Sequence, residues 1–121
     1  YIKPIVDKID QQIMFAEKSW GSFRVLDVED ASMTIKITLT PGHGMNYHSH
    51  ENRDEVWTVI SGTGHAILDG VRRDVKAGDI LTMPAGCRHT VFADSELKII
   101  EVQLGSAISV EDKQKYPLPQ A

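Results

Sequence analysis

Disulfides are excluded at once: the 121-residue chain carries one cysteine, Cys87. A single thiol closes no internal bridge, so the fold rests on its core, and a reducing, cytoplasmic setting is expected. Long apolar runs are missing too; the unbroken stretches are a few residues, far below the roughly 20 that span a bilayer as a helix. No charged-then-apolar leader opens the chain, so no secretion signal is expected. Basic residues are not interleaved with aromatics, and 13 Lys+Arg stand against 17 Asp+Glu for a formal net charge of -4. A nucleic-acid surface is therefore not expected. Internal repeats and low-complexity runs are also absent.

What remains is ordinary for one globular domain: 41% hydrophobic and 25% charged residues, in a chain long enough to bury a core. Residues 1–19 form a lead-in whose middle, Ile5 to Met14, suits either a strand or a short helix. Residues 106–121, with Pro117 and Pro119, read as a docked or loose tail. Between them, at 20–105, lie short segments that alternate apolar and polar residues: "SFRVLDVE", "SMTIKITLT", "EVWTVISG", "GHAILDG", "DILTMP", "HTVFA" and "LKIIEVQL". Gly, Pro, Asn and Asp punctuate them about every ten residues, which predicts an all-β barrel or sandwich. Asp69-Gly70 predicts a tight hairpin, because a type I′ turn needs positive φ at both central residues.

The chemistry-bearing stretch is "NYHSHENRDE", residues 46–55. His48 and His50 are two apart and share a face of an extended segment. The "ENRD" between them and Glu55 can turn the chain so that Glu55 folds back beside them, and His89 follows a "PAG" turn. Imidazole and carboxylate together suit Zn, Mn, Fe, Co, Ni or Cu. Three histidines and one glutamate leave positions open on a six-coordinate ion, as a catalytic or ligand-binding metal requires. Seen alone, a His-x-His pair on a turn is equally well polar surface.

The spacing decides between these readings. Gly42, five residues, His48, one, His50, four, Glu55, six, Gly62 matches the first cupin motif; Gly78, five, Pro84, one, Gly86, two, His89 matches the second. The sequence thus resembles a single-domain cupin over roughly residues 20–105, departing where Ala93 and Asp94 stand in place of a frequent Asn. The resemblance implies a small antiparallel jelly-roll β-barrel holding one divalent metal ion through His48, His50, Glu55 and His89. "KSWGSFRVLD", "VWTVISGTGHAILDG" and "IIEVQLG" further resemble the cupin domain of type II phosphomannose isomerases, which commonly forms the C-terminal part of mannose-1-phosphate guanylyltransferases. Ser19 stands where that family has Pro before Trp20-Gly21, and extra residues precede Arg53-Asp54-Glu55.

This second resemblance implies isomerisation of mannose 6-phosphate to fructose 6-phosphate, with the metal as Lewis acid. Glu101 is the candidate base, because in a strand it shares a face with Ile99 and Gln103, two polar groups within an apolar strand. Arg53, Lys18 and Gln103 are candidates to bind the sugar phosphate. Two other functions stay open: a non-catalytic cupin domain binding a sugar or nucleotide sugar, and an iron-dependent dioxygenase, since fold and metal do not fix the reaction. By family analogy a homodimer is expected, with "YIKPIVDKI" as a segment that could be exchanged, and a nucleotidyltransferase domain on the same full-length chain. His43 and His65 are expected as surface histidines, Trp20 and Trp57 as packing residues, and Tyr47 as barrel wall.

Overall fold

Alternation sets the architecture. Along Ser32–Leu39 burial switches residue by residue, with Met33, Ile35, Ile37 and Leu39 inside. A period of two with β-branched residues is what a strand with one face on a core requires. The same rule operates in Asp54–Ser61, which buries Glu55, Trp57 and Val59, and in Leu97–Leu104, which buries Leu97, Ile99, Glu101 and Gln103.

The computed structural model describes residues 14–109 and 111–119. Eleven strands lie among them: β1 Phe15–Lys18, β2 Gly21–Glu29, β3 Ser32–Leu39, β4 Tyr47–Ser49, β5 Asp54–Ser61, β6 Thr63–Leu68, β7 Val71–Lys76, β8 Ile80–Met83, β9 His89–Ala93, β10 Leu97–Leu104 and β11 Gln114–Tyr116. They form two antiparallel sheets, a six-stranded one in the order β1-β2-β3-β10-β5-β8 and a five-stranded one in the order β11-β4-β9-β6-β7. This is the expected all-β jelly roll. No helix among the described residues is long and apolar enough to cross a membrane. Residues 1–13, which hold the "YIKPIVDKI" segment and all of the Ile5 to Met14 stretch but Met14, lie outside the described residues.

Both sheets extend beyond residues 20–105: β1 adds an edge to the first and β11, from the tail, an edge to the second. The tail is docked. Tyr116 is hydrogen-bonded to Ser49 through their hydroxyls at 2.8 Å, and Arg88 stacks on the Tyr116 ring at 3.8 Å. At the predicted hairpin between β6 and β7, Asp69 and Gly70 have φ of 47° and 83°, as a type I′ turn demands. Tyr47 is buried, and its hydroxyl accepts the Gly70 N–H at 3.0 Å.

The core lies between the sheets, around Trp57, Leu39, Leu81, Leu97, Ile99 and Val91, each at most 1% exposed. Each aliphatic side chain so enclosed contributes about 1.5–3 kcal/mol. The inward face of β10 then changes character. Leu97 and Ile99 are apolar, whereas Glu101 lies opposite Trp57 and Gln103 opposite Glu55 on β5. One end of the barrel is sealed by hydrocarbon and the other is lined with hydrogen-bonding groups.

Candidate metal centre

Two strands deliver the histidines. His48 is in β4, with His50 just beyond it, and the β4–β9 register sets His48 directly opposite His89. Their ligand-capable nitrogens all lie within 4.8 Å of one another, and all three rings are buried.

The other nitrogen of each ring is already committed. His48 Nδ1 donates to the Asn46 carbonyl at 2.6 Å, His50 Nδ1 to the Asp112 carbonyl at 2.5 Å, and His89 Nδ1 to the Cys87 carbonyl at 2.9 Å. A carbonyl only accepts, so the proton sits on Nδ1 and each Nε2 is left as a lone-pair donor. Among the described residues, His89 Nε2 is buried with no hydrogen-bond partner. An orphaned buried acceptor beside two more imidazoles fits a divalent cation, and these three histidines can hold one.

Glu55, 1% exposed, adjoins the cluster. Its Oε2 lies 3.2 Å from His50 Nε2 and its Oε1 3.3 Å from His89 Nε2. Trp57 Nε1 donates to Oε1 at 3.1 Å and Arg53 Nε to Oε2 at 2.8 Å. Arg53 also reaches His50 Nε2 at 3.0 Å through Nη2 and the Ser109 carbonyl at 3.3 Å through Nη1. Its guanidinium is thus spent on the site itself.

Charge states follow from these surroundings. Burial, and next the neighbouring His89 ring, push the His48 imidazole down to about 3. Burial also lowers His50, against the pull of Glu55. Burial alone would raise the Glu55 carboxyl, but His89, Arg53 and His50 outweigh it and hold the group below the usual carboxylate range. Glu101 goes the other way, up to about 8, through burial and then the negative charge of Glu55.

A cavity of about 530 Å³ opens onto this end, and His48, His50, Arg53, Glu101 and Gln103 all reach its wall. Gln103 Nε2 donates to Glu101 Oε2 at 2.6 Å, so Gln103 fixes the carboxyl that it neighbours. Lys18 lies at the end of β1 and also lines the cavity. The three histidines can hold a divalent cation, and two of them line the cavity that Glu101 also lines.

Outside the site, His43 is exposed, and His65 is half-buried and stacked on Phe92 at 5.0 Å. Burial, with Asp69 nearby, pushes the Cys87 thiol up to about 11, which keeps it un-ionised.

Sequence reasoning missed the tail's contribution. Asp112 accepts the Glu51 and Asn52 N–H groups at 2.9 and 2.8 Å, and Lys113 and Lys115 line the cavity. No local signal marks Asp112, because its partner His50 is 62 residues away. Trp57 was expected as packing; it is fully buried in the core, yet its indole also orients Glu55.

Comparison with known proteins agrees with this geometry. The alginate biosynthesis protein AlgA of Pseudomonas putida is 26% identical over 124 residues, covering 95% of this chain and 26% of that protein. The mannose-1-phosphate guanylyltransferase of Klebsiella pneumoniae is 25% identical over 97 residues, covering 78% of this chain and 21% of its own length. The chain therefore spans about a quarter of the length of these curated relatives. Among solved structures, an RmlC-like cupin from Shewanella frigidimarina superposes with a TM-score of 0.70 at 22% identity, covering 84% of this chain and 89% of that one. Residues 35–103, which carry the three histidines, Glu55 and Glu101, match the profile of the cupin domain, and the chain belongs to the cupin family.

Proposed function

We propose that this domain is a metal-dependent sugar-phosphate isomerase, converting mannose 6-phosphate to fructose 6-phosphate. The observation that carries the reading is Glu101, a buried carboxyl with its pKa raised to about 8, in the wall of the cavity that His48 and His50 also line. The relatedness to AlgA and to mannose-1-phosphate guanylyltransferases supports a mannose phosphate as substrate.

His48, His50, His89 and Glu55 are the proposed ligands. A divalent metal (Zn, Mn, Fe, Co or Ni) bound there supplies Lewis-acid stabilisation of the charge that develops on the substrate's O1 and O2. Gln103 holds one Glu101 oxygen and so orients the carboxyl. Glu101 takes the C2 proton and returns it to C1 through an enediol-type intermediate, while the O2 hydroxyl proton passes to O1, so that the C1 aldehyde becomes a hydroxyl and the C2 hydroxyl a ketone. Arg53 keeps Glu55 ionised and correctly turned.

Two further parts of the reading concern assembly. Ile60, Ile80 and Leu104 are exposed on strands of the six-stranded sheet, which supports a homodimer through that face. The quarter-length match to the guanylyltransferases supports a nucleotidyltransferase domain on the same full-length cytoplasmic chain.

The test is proton NMR of mannose 6-phosphate incubated with protein reconstituted with each metal in turn. Fructose 6-phosphate, abolished by a chelator, is expected. Absence of conversion with every metal, combined with a melting temperature raised by mannose phosphates or GDP-mannose, transfers the assignment to a binding-only cupin domain.

A further inference from the structure

On a chain of net charge -4, the cavity is charged the other way. Lys18, Arg53, Lys113 and Lys115 all line it, and among its described lining residues Glu101 is the one carboxyl. Arg53 is consumed by Glu55, His50 and Ser109. The three lysines form no ion pair with another described residue. They come from both edges of the fold: Lys18 ends β1, and Lys113 and Lys115 flank and occupy β11, which the Lys115↔His48 register seats beside the metal centre. Lys113 lies close enough to its neighbours that Lys115 and Lys18, after burial, lower its pKa. Three like charges round one opening oppose folding, an arrangement that a bound anion reverses.

We propose that Lys18, Lys113 and Lys115 form a phosphate-monoester site at the rim of the cavity, two of its three cations being supplied by the C-terminal tail. Compact, freely rotating ammonium groups suit a dianion that presents several equivalent oxygens. The described apolar lining, with Ile35, Ile37, Met45 and the Phe23 ring over which Lys18 Nζ sits at 5.8 Å, offers no second charge to bind. The ligand therefore carries one charged end, at the lysines, and reaches the histidines with its uncharged end. The sugar attached to that phosphate rests on the isomerase reading; the anion site does not.

The experiment is isothermal titration of metal-loaded protein with inorganic phosphate, mannose 6-phosphate and mannose. Phosphate and mannose 6-phosphate bind and mannose is far weaker; each lysine lost weakens phosphate by about tenfold, the value of one charge-assisted contact. Lys113→Gln/Lys115→Gln therefore loses measurable binding, and Lys18→Gln, remote from the tail, shows its own loss even where the double variant undocks β11. Arg72→Gln/Arg73→Gln, on exposed β7, binds as the parent does. Phosphate affinity unchanged in Lys18→Gln and in the double variant, or no phosphate binding by the parent, overturns the site. Lysine-dependent phosphate binding without turnover of mannose 6-phosphate keeps the site and removes the isomerase.

Discussion

The Asp112 carbonyl accepts the Nδ1 proton of His50 at 2.5 Å, across 62 residues of chain. With the Arg53 bond to the Ser109 carbonyl, this bond joins the tail to the histidine cluster. It fixes the tautomer of a ring that Arg53 holds from the other side at Nε2, and the Asp112 side chain reinforces it by capping the Glu51 and Asn52 amides.

Asp112→Ala leaves that carbonyl in place but removes the two caps that hold the turn against it. Loss of such outer support typically weakens a metal by about 10–100-fold. Competition with a zinc chelator reads this directly. His50→Ala serves as the reference: bound metal falls well below one per chain by elemental analysis. An Asp112→Ala affinity equal to the parent's shows that the tail only covers the site.

Glu101→Gln keeps the shape and the bond partner of Glu101 but removes its basicity. Turnover of mannose 6-phosphate drops by about 10²–10⁴, the range for loss of a positioned base, with metal content and melting temperature near the parent's. Full turnover in this variant transfers proton removal to another group.

The metal-free protein loses stability in acid through His48. Its imidazole titrates at 6.5 in an ordinary setting and at about 3 in the fold, so below pH 6.5 the unfolded chain binds the extra proton. The stabilisation is whole above pH 6.5 and is lost as pH falls towards 3, at about 1.4 kcal/mol per pH unit for one such group. Urea midpoints between pH 7 and 4 check the slope, which His48→Gln flattens. A flat profile for the parent refutes the buried neutral ring.

Gly62 and Gly78 separate two kinds of glycine requirement. Both have positive φ, 90° and 96°, but a Cβ on Gly62 lies 2.0 Å from the Glu96 carbonyl oxygen, whereas one on Gly78 meets nothing within 4 Å. Gly78→Ala costs about 1–2 kcal/mol from conformation alone. Gly62→Ala costs more, because backbone has to move, and chemical denaturation ranks the two. Equal losses contradict the close approach.

Much of this was legible in the residues. Met33, Ile35, Ile37 and Leu39 announce β3 by period alone, and the two-residue step from His48 to His50 announces a shared face. The strand β4 hid its nature, because Tyr47, His48, Ser49 and His50 are all buried. Tyr116 and Gly70 cover its outer side, and no alternation survives. The strand β11 is three residues long and polar, and it pairs across more than sixty residues. Its identity comes from tertiary contacts that no local pattern encodes. The same holds for Lys113 and Lys115, which read as tail charge until the register seats them at the cavity.

The change of character along β10 separates two kinds of evolution in one strand. Leu97 and Glu101 are about 13 Å apart at the rise of an extended chain, face the same interior and share no neighbour across the ladder. Changes at the two positions therefore add independently, within roughly 0.5 kcal/mol. The polar end can be rewritten for a new ligand while the hydrocarbon end keeps the barrel closed, so a scaffold of this size can change its chemistry without first acquiring stability to spare.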